Sequence, residues 1–181
     1  MTNLSDKEIL ELFSGGNESQ AFKLIVEKYQ KRLYWHIRRL VIDHEDSNDV
    51  LQNTLLKAWK GLKDFRQESN LFTWLYRIAT NESLTFINKR KTHFSSSIDD
   101  ENNMLEEQLK SDIYFNGDEA QIKLQKAISS LPEKQRVVFN LKYFDEMKYE
   151  DMSQILDTSV GALKASFHHA VKKIEDFLNE N

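Results

Sequence analysis

The chain has 181 residues, a net charge of −4, 40% apolar residues, five glycines and one proline. The absence of cysteine excludes disulfides, thiolate zinc sites and thiol nucleophiles. No run of about 18 apolar residues occurs, and the polar start MTNLSDKEIL is unlike a signal peptide, so we expect a soluble cytoplasmic protein.

The first ninety residues predict a compact antiparallel bundle of four helices with short connections. Ser5 and Glu8 have the spacing of a capping box, and Gly15-Gly16 is expected to end the first helix. Later apolar residues recur at helical spacing, and the stretch DFRQESN is read as a polar loop. The predicted helices span about 5–14, 17–42, 50–62 and 71–91.

The charge is distributed unevenly along the chain. Residues 20–93 carry 14 Lys and Arg against eight acidic residues, whereas residues 94–120 carry one Lys against eight acidic residues. The stretch SSSIDDENN cannot bury enough apolar surface to offset its ordering entropy, which predicts a flexible acidic linker. The predicted units are residues 1–93, 94–119 and 120–181.

The second unit also has helical periodicity. Pro132 stands where a new helix can open, and a short helix over 149–156 and a last helix over 160–178 follow. No strand-like alternation of useful length occurs anywhere. The predicted fold class is all-α, with two small helical domains joined by a flexible acidic linker.

The stretch YEDMSQILDTSVGALKASFHHA has the pattern of a helix-turn-helix. Ser153 is a small residue in the middle of the first helix, and Ser159 can cap the second. The outer face of the second helix begins with small residues, which permit close approach to a DNA groove. The same pattern fits an ordinary helical hairpin, and this stretch by itself does not decide between the two. Its predicted inner face is Val160, Leu163, Phe167, Val171, Ile174 and Leu178.

Three segments together resemble a known family. LQKAISSLPEKQRVVFNLKYFDEMKYEDMSQILDTSVGALKASFHHAVKKI is similar to region 4 of bacterial sigma factors. DSNDVLQNTLLKAWKGLKDF resembles region 2.2, and FTWLYRIATNESLTFINKRK resembles regions 2.3 and 2.4. With no third domain between these segments, the chain resembles an extracytoplasmic-function (ECF) member of the sigma-70 family. The resemblance implies a DNA-binding transcription initiation factor that directs RNA polymerase to specific promoters.

The resemblance implies that the region 2.2 helix binds a coiled coil of core RNA polymerase. Leu55 and Trp59 are expected in the core instead, and we favour Asp49 and Gln52 for the contact. Acidic residues at a helix start also complement the helix dipole without any partner. The expected contacts are Asp46, Asp49, Gln52, Asn53 and Leu56.

The resemblance also implies that regions 2.3 and 2.4 melt the minus-ten promoter element. Melting needs aromatic stacking surfaces and phosphate neutralisation in one place. Within Trp74-Leu75-Tyr76, we expect Trp74 to be the core aromatic. Lys91 extends the basic strip. The expected DNA contacts are Phe65, Arg66, Asn70, Phe72, Tyr76, Arg77, Asn81, Lys89 and Arg90.

The helix-turn-helix is expected to bind the minus-thirty-five element, but two features depart from the family pattern. Asp157 replaces a usual glycine at a left-handed position, which aspartate tolerates. Ser166 and His169 replace arginines, the usual partners of guanine, so direct base reading should be reduced. The expected contacts are Ser159, Gly161, Ala162, Lys164, Ala165, His168 and Lys172.

The expected partners are core RNA polymerase, promoter DNA and, by family analogy, an anti-sigma factor that clamps the two domains. No phosphate loop, serine elbow or metal signature occurs, so we expect no enzymatic activity, cofactor or metal. Two alternatives are a stand-alone helix-turn-helix regulator and a polymerase-binding adaptor with reduced promoter reading. The first leaves the basic aromatic stretch 65–91 without a use. The arginine-poor helix favours the second.

Overall fold

The structure is a computed structural model that describes residues 4–65, 69–93 and 119–180. Throughout these residues the regular structure is helical and contains no strand, which confirms the predicted all-α class. A short 3₁₀ turn, Leu62–Asp64, follows the third helix. The helices are α1 (Asp6–Ser14), α2 (Glu18–Val41), α3 (His44–Gly61), α4 (Leu71–His93), α5 (Glu119–Ser129), α6 (Glu133–Tyr143), α7 (Tyr149–Leu156) and α8 (Val160–Glu180). None of these described helices combines the length and apolar character needed to cross a bilayer.

Local capping signals set several helix ends. The capping box between Ser5 and Glu8 is present, and Gly16 adopts a φ of 93° just beyond the end of α1. One boundary was predicted wrongly, because α3 begins at His44 and not near Val50. The Asp43 side chain accepts the backbone N–H of Asp46 at 2.9 Å, so the acidic stretch DHEDSND supplies the cap and first turn of the helix.

Helices α1 to α4 form the first domain, with α2 at its centre against the other three. Buried apolar residues on facing helices, among them Leu33, Ile37, Leu75 and Ala79, are fully enclosed. Burying an aliphatic side chain of this size stabilises the fold by about 1.5–3 kcal/mol. This domain confirms the predicted four-helix unit.

Helices α5 to α8 form the second domain. Ala127 and Ile128 of α5, Phe139 of α6, and Ala170 and Ile174 of α8 pack in one cluster. The inner face predicted for α8 is observed, since its residues are buried or partly buried while the opposite face is exposed. The linker predicted over 94–119 lies outside the described residues, except for Glu119, which is the first residue of α5.

The two domains pack directly on each other, which the sequence did not predict. Helix α7 lies against α4, and α6 lies against α2. Leu141 and Met152 of the second domain belong to the same buried cluster as Leu33 and Leu75 of the first. The structure therefore has one apolar core that runs across the domain junction.

Candidate nucleic-acid interface

Helix α3 presents a stripe of exposed side chains, which we call the α3 stripe: Asp49, Gln52, Asn53 and Leu56. Their spacing of three, one and three residues places them on one helical face. Leu56 is 57% exposed and is, with Tyr143, one of the two exposed large apolar side chains among the described residues. The stripe therefore combines polar groups with an apolar centre, as a protein-binding surface does. As expected, Leu55 and Trp59 face inward, partly buried, with Trp59 5.0 Å from the Phe22 ring.

Asp46 lies at the start of α3 and is half-buried beside the stripe. Desolvation raises the pKa of its carboxyl, and the neighbouring Asp43 acts in the same direction. Arg90 opposes this effect from α4, with its Nη1 3.4 Å from Asp46 Oδ2. Asp46 was expected to contact polymerase and Arg90 to contact DNA, so the structure pairs a member of one expected surface with a member of the other.

The residues expected to contact the minus-ten element cluster around the start of α4. Asn70 has a structural role there, because its Oδ1 accepts the backbone N–H and the hydroxyl of Thr73, each at 2.7 Å. Phe65 is half-buried, with its ring 4.9 Å from that of Trp74. Arg66 lies outside the described residues.

The structure buries Tyr76, which was expected to contact DNA, more deeply than Trp74, which was expected in the core. Tyr76 is fully buried, with its ring 4.5 Å from Phe72 and 5.0 Å from His36, so it offers no surface to DNA in this arrangement. Trp74 is only partly buried. The reason is that Tyr76 lies on the side of α4 that faces His36 of α2, with Asp145 of the second domain nearby, and the sequence of α4 alone does not show these contacts. Burial raises the pKa of the Tyr76 hydroxyl well above its ordinary range, and Asp145 adds to the effect.

Phe72 is partly buried and contacts two side chains of α2. Its ring is 6.3 Å from that of Tyr29, and the guanidinium of Arg32 lies 4.8 Å from its centroid. Arg77 and Asn81 are exposed and one turn apart, so they share the outer face of α4. Lys89 is also exposed, further along the helix.

An open cleft of about 480 Å³ lies between the start of α4 and the helix-turn-helix. Phe65, Trp74 and Arg77 line one side, and Gln154 and Asp157 line the other. Aromatic rings beside a guanidinium provide the stacking and phosphate-binding groups that an unpaired nucleic-acid strand requires. Trp74 and Gln154 were not among the expected contacts, because their positions in the cleft depend on how the two domains pack.

The helix-turn-helix has the local geometry that the sequence predicted. Asp157 adopts the left-handed conformation, with φ 49° and ψ 49°. The Ser159 hydroxyl accepts the backbone N–H of Ala162 at 3.3 Å, capping α8. Apart from the adjacent residues and the backbone of α8 itself, no atom lies within 4 Å of where a Cβ on Gly161 would be, so this end of the helix is open.

The outer face of α8 is fully accessible. Lys164 lies 5.7 Å from the Tyr149 ring centroid, and the rings of His168 and His169 are 6.0 Å apart. Ser166 is half-buried, so a substitution that lengthens this side chain must direct it outward. The exposed expected contacts are Ser159, Gly161, Ala162, Lys164, Ala165, His168 and Lys172.

Comparison with known proteins agrees with both domains. The sigma-70 region 2 family matches residues 25–93, and the sigma-70 region 4 family matches residues 121–174. The RNA polymerase sigma-H factor of Pseudomonas aeruginosa is 28% identical over 98% of this chain and 96% of its own. The ECF RNA polymerase sigma-E factor of Haemophilus influenzae is 27% identical over 96% of this chain and 95% of its own.

Two solved structures share the fold. The sigma factor RpoE of Bartonella quintana, solved with the anti-sigma factor NepR, aligns with a TM-score of 0.69 at 24% identity, covering 87% of this chain and 96% of that one. CnrH, solved with the cytosolic domain of CnrY, aligns with a TM-score of 0.72 at 22% identity, covering 97% and 98%. Since both family regions occur in order within relatives of the same length, the chain belongs to the ECF group of the sigma-70 family of RNA polymerase sigma factors.

Proposed function

We propose that this sigma factor binds core RNA polymerase through the α3 stripe and Asp46, and brings it to promoters that the chain itself selects. The observation that carries the proposal is the α3 stripe itself, an exposed leucine framed by polar groups on one face of a helix. A buried apolar anchor with a polar rim is the usual anatomy of a specific protein interface.

The first domain then melts the minus-ten element. Phe65 and Trp74 supply stacking surfaces, and Arg77, Lys89 and Arg90 supply positive charge. Stacking on an aromatic side chain stabilises an unpaired base by about 1–3 kcal/mol, which offsets part of the cost of opening the duplex. The activity is binding and deformation of DNA and breaks no covalent bond.

The second domain binds the minus-thirty-five element through the outer face of α8. Its exposed small residues allow close approach to a major groove, while Lys164 and Lys172 neutralise phosphates. The acidic segment 94–119 connects the two DNA-binding domains. We also propose that the chain acts in the cytoplasm, where polymerase and promoters are, and that an anti-sigma protein controls it.

One alternative has a specific observation in its favour. The recognition helix has Ser166 and His169 where the family commonly has arginines, which supports an adaptor that binds polymerase but reads promoters weakly. This alternative shares the α3 stripe with the main proposal and differs only at α8.

Run-off transcription with purified core polymerase and promoter fragments tests the proposal. We expect initiation at discrete start sites that requires both the chain and the core enzyme. Core binding without initiation would favour the adaptor. Tight operator binding by the chain alone, with no stimulation of transcription, would favour a stand-alone regulator and contradict the proposal.

A further inference from the structure

The domain junction lies against α4, the helix that carries most of the residues expected to contact the minus-ten element. Tyr76 is 0% exposed, with its ring packed on Phe72 and on His36, and His36 in turn contacts Asp145 of the second domain. Lys91, in the basic strip of α4, is paired with Glu133 of α6 at 3.7 Å. In this arrangement the Glu133 carboxylate pairs with the Lys91 ammonium, which would otherwise be available to a DNA phosphate.

The cleft beside the minus-ten residues is bounded by the second domain as well. Phe65, Trp74 and Arg77 on the first domain face Gln154 and Asp157 at the end of α7. The Asp157 carboxylate places negative charge where a nucleic-acid backbone would approach Arg77. The same elements that should receive the melted strand therefore face the helix-turn-helix.

A carboxylate of the second domain, that of Asp145, contacts two residues of the first domain across the junction. Asp145, which follows α6, is only 7% exposed and accepts a hydrogen bond from Arg39 Nη1 at 3.0 Å. Its second oxygen lies 3.2 Å from Nδ1 of the fully buried His36. Both partners belong to α2 of the first domain. A buried carboxylate with two donors is stabilised only while both donors stay in place.

The hydrogen bonds behind His36 fix its orientation. The Thr80 hydroxyl oxygen lies 2.8 Å from the Tyr76 carbonyl oxygen and 2.8 Å from His36 Nε2. When the ring proton of His36 is on Nδ1 and donates to Asp145, Nε2 is the acceptor and receives the Thr80 hydroxyl. The contact therefore passes from the second domain through His36 to the buried face of α4.

The junction also contains a group that disfavours closure. Burial lowers the pKa of Arg136 on α6, and Arg90 of the first domain contributes by repulsion, while Glu133 partly offsets both effects. Arg136 Nε has no hydrogen-bond partner among the described residues. The ion pair at Asp145 favours the closed form, while the half-buried Arg136 cation disfavours it, so the free-energy difference between closed and open forms is smaller than the ion pair alone would give.

We propose that the contact between the two domains is autoinhibitory, with Asp145 as the latch that holds the second domain over the promoter-melting face of the first. This inference rests on the proposed function. The open form exposes the cleft residues and releases Lys91 from Glu133. Binding of polymerase or promoter DNA to the open form shifts the chain toward it.

Replacement of Asp145 by asparagine is the first test. Asparagine keeps the shape but offers one oxygen to the two donors, Arg39 and His36, and carries no charge. We expect Asp145→Asn to bind a fluorescein-labelled single-stranded DNA of mixed sequence more tightly than wild type, without polymerase. If the closed form holds about 90% of the wild type, the gain approaches about tenfold. Arg39→Gln breaks the same pair from the other domain and should act in the same direction. Asp176→Asn removes an equal charge from an exposed position of α8 and should bind the DNA no more than slightly better.

The second test locks the junction. Lys31 and the exposed Glu146 line a cleft of about 300 Å³ on the Asp145 side, across the two domains. Because the chain has no cysteine, Lys31→Cys/Glu146→Cys can be joined with a reducible bismaleimide cross-linker at these two positions alone. We expect the cross-linked protein to lose run-off transcription with core polymerase, and to recover it when the linker is reduced.

The outcomes separate the latch from the proposed function. Unchanged DNA binding by Asp145→Asn and Arg39→Gln, or full transcription by the cross-linked protein, would overturn the latch while leaving the function intact. If no form of the chain supports transcription, the function fails. Energy transfer between dyes on the two introduced cysteines then still decides the latch. A decrease on adding Asp145→Asn supports it, and no change contradicts it.

Discussion

Arg90 Nη1 lies 3.4 Å from Asp46 Oδ2, and this pair joins the basic strip of α4 to the start of the α3 stripe. Both side chains are more than a third exposed, so the pair contributes little to stability by itself. Its importance lies in its position, because it joins the surface proposed to bind polymerase to the surface proposed to bind DNA. A partner that binds Asp46 would break the ion pair and leave Arg90 available to DNA.

Removing Asp49 should weaken polymerase binding. Asp49→Ala deletes an exposed carboxylate from the α3 stripe without disturbing the core. We expect the affinity for core polymerase, measured by fluorescence anisotropy, to fall at least about fivefold, or about 1 kcal/mol. Glu27→Ala is the matched control, since Glu27 is also an exposed carboxylate but belongs to α2 and lies outside the stripe. Equal losses in the two variants would refute the assignment.

Asp46 should make stability depend on pH in a defined direction. Desolvation first, and Asp43 second, raise the pKa of its carboxyl, so the folded state disfavours the charged form. This contribution favours folding at low pH and is lost as the pH rises from about 4, the ordinary pKa of an aspartate, toward neutral. Relative to wild type, Asp46→Asn should therefore gain stability at neutral pH, by less than about 1 kcal/mol. Urea unfolding at both ends of the range measures this, and a loss at neutral pH that is absent at low pH would contradict it.

The two phenylalanines at the minus-ten cluster should behave differently. Phe65→Ala should slow promoter opening and leave core affinity unchanged, because its ring packs against Trp74, tilted by 43°, at the cleft. Phe72→Ala should also slow opening, but it removes a ring packed on Tyr76 and Arg32, at a further stability cost of about 1–3 kcal/mol. Opening kinetics and thermal unfolding separate the two effects. Normal opening by Phe65→Ala would remove it from the site.

The outer face of α8 should contact phosphates more than bases. Lys164→Ala should weaken binding to a minus-thirty-five duplex and reduce the salt slope of the affinity by about 1. Lys134→Ala removes an exposed lysine of α6, away from the recognition helix, and should leave the slope unchanged. His169→Arg restores the family's arginine and should increase discrimination between promoter and random duplexes. No gain in discrimination would argue that α8 does not face the bases at this position.

The turn of the helix-turn-helix makes its own contribution to stability. Ser159→Ala should cost about 1 kcal/mol, because it removes the cap on the Ala162 N–H. Asp157→Gly should be neutral or slightly stabilising, since glycine adopts φ 49° without strain, whereas Asp157→Val should destabilise the protein. Thermal unfolding of the three variants tests these signs together, and an unchanged midpoint for Asp157→Val would be inconsistent with the left-handed turn.

The sequence predicted what local interactions determine. The capping box at Ser5, the cap at Ser159 and the left-handed Asp157 each depend on a few neighbouring residues, and the structure confirms all three. The start of α3 was placed too late because the range was begun at the first apolar residue, Val50, although Asp43 and its neighbours form a good cap and first turn.

The domain junction could not be predicted in the same way. His36 and Asp145 are 109 residues apart, and no local pattern relates them. Tyr76 packs on His36 and is therefore buried beside this same long-range contact, whereas Trp74 is only partly buried. Helical periodicity identifies which residues share a face, but a partner from another domain decides whether that face is core or surface.

Permanganate footprinting of promoter DNA tests the central claim most directly, since permanganate oxidises thymines only when they are unpaired. With core polymerase and this chain together, we expect reactive thymines at one position upstream of the run-off start site. Neither component alone should produce them, and Phe65→Ala should reduce them. A footprint that stays fully paired while the chain is bound to polymerase on the same DNA would contradict the proposed melting function.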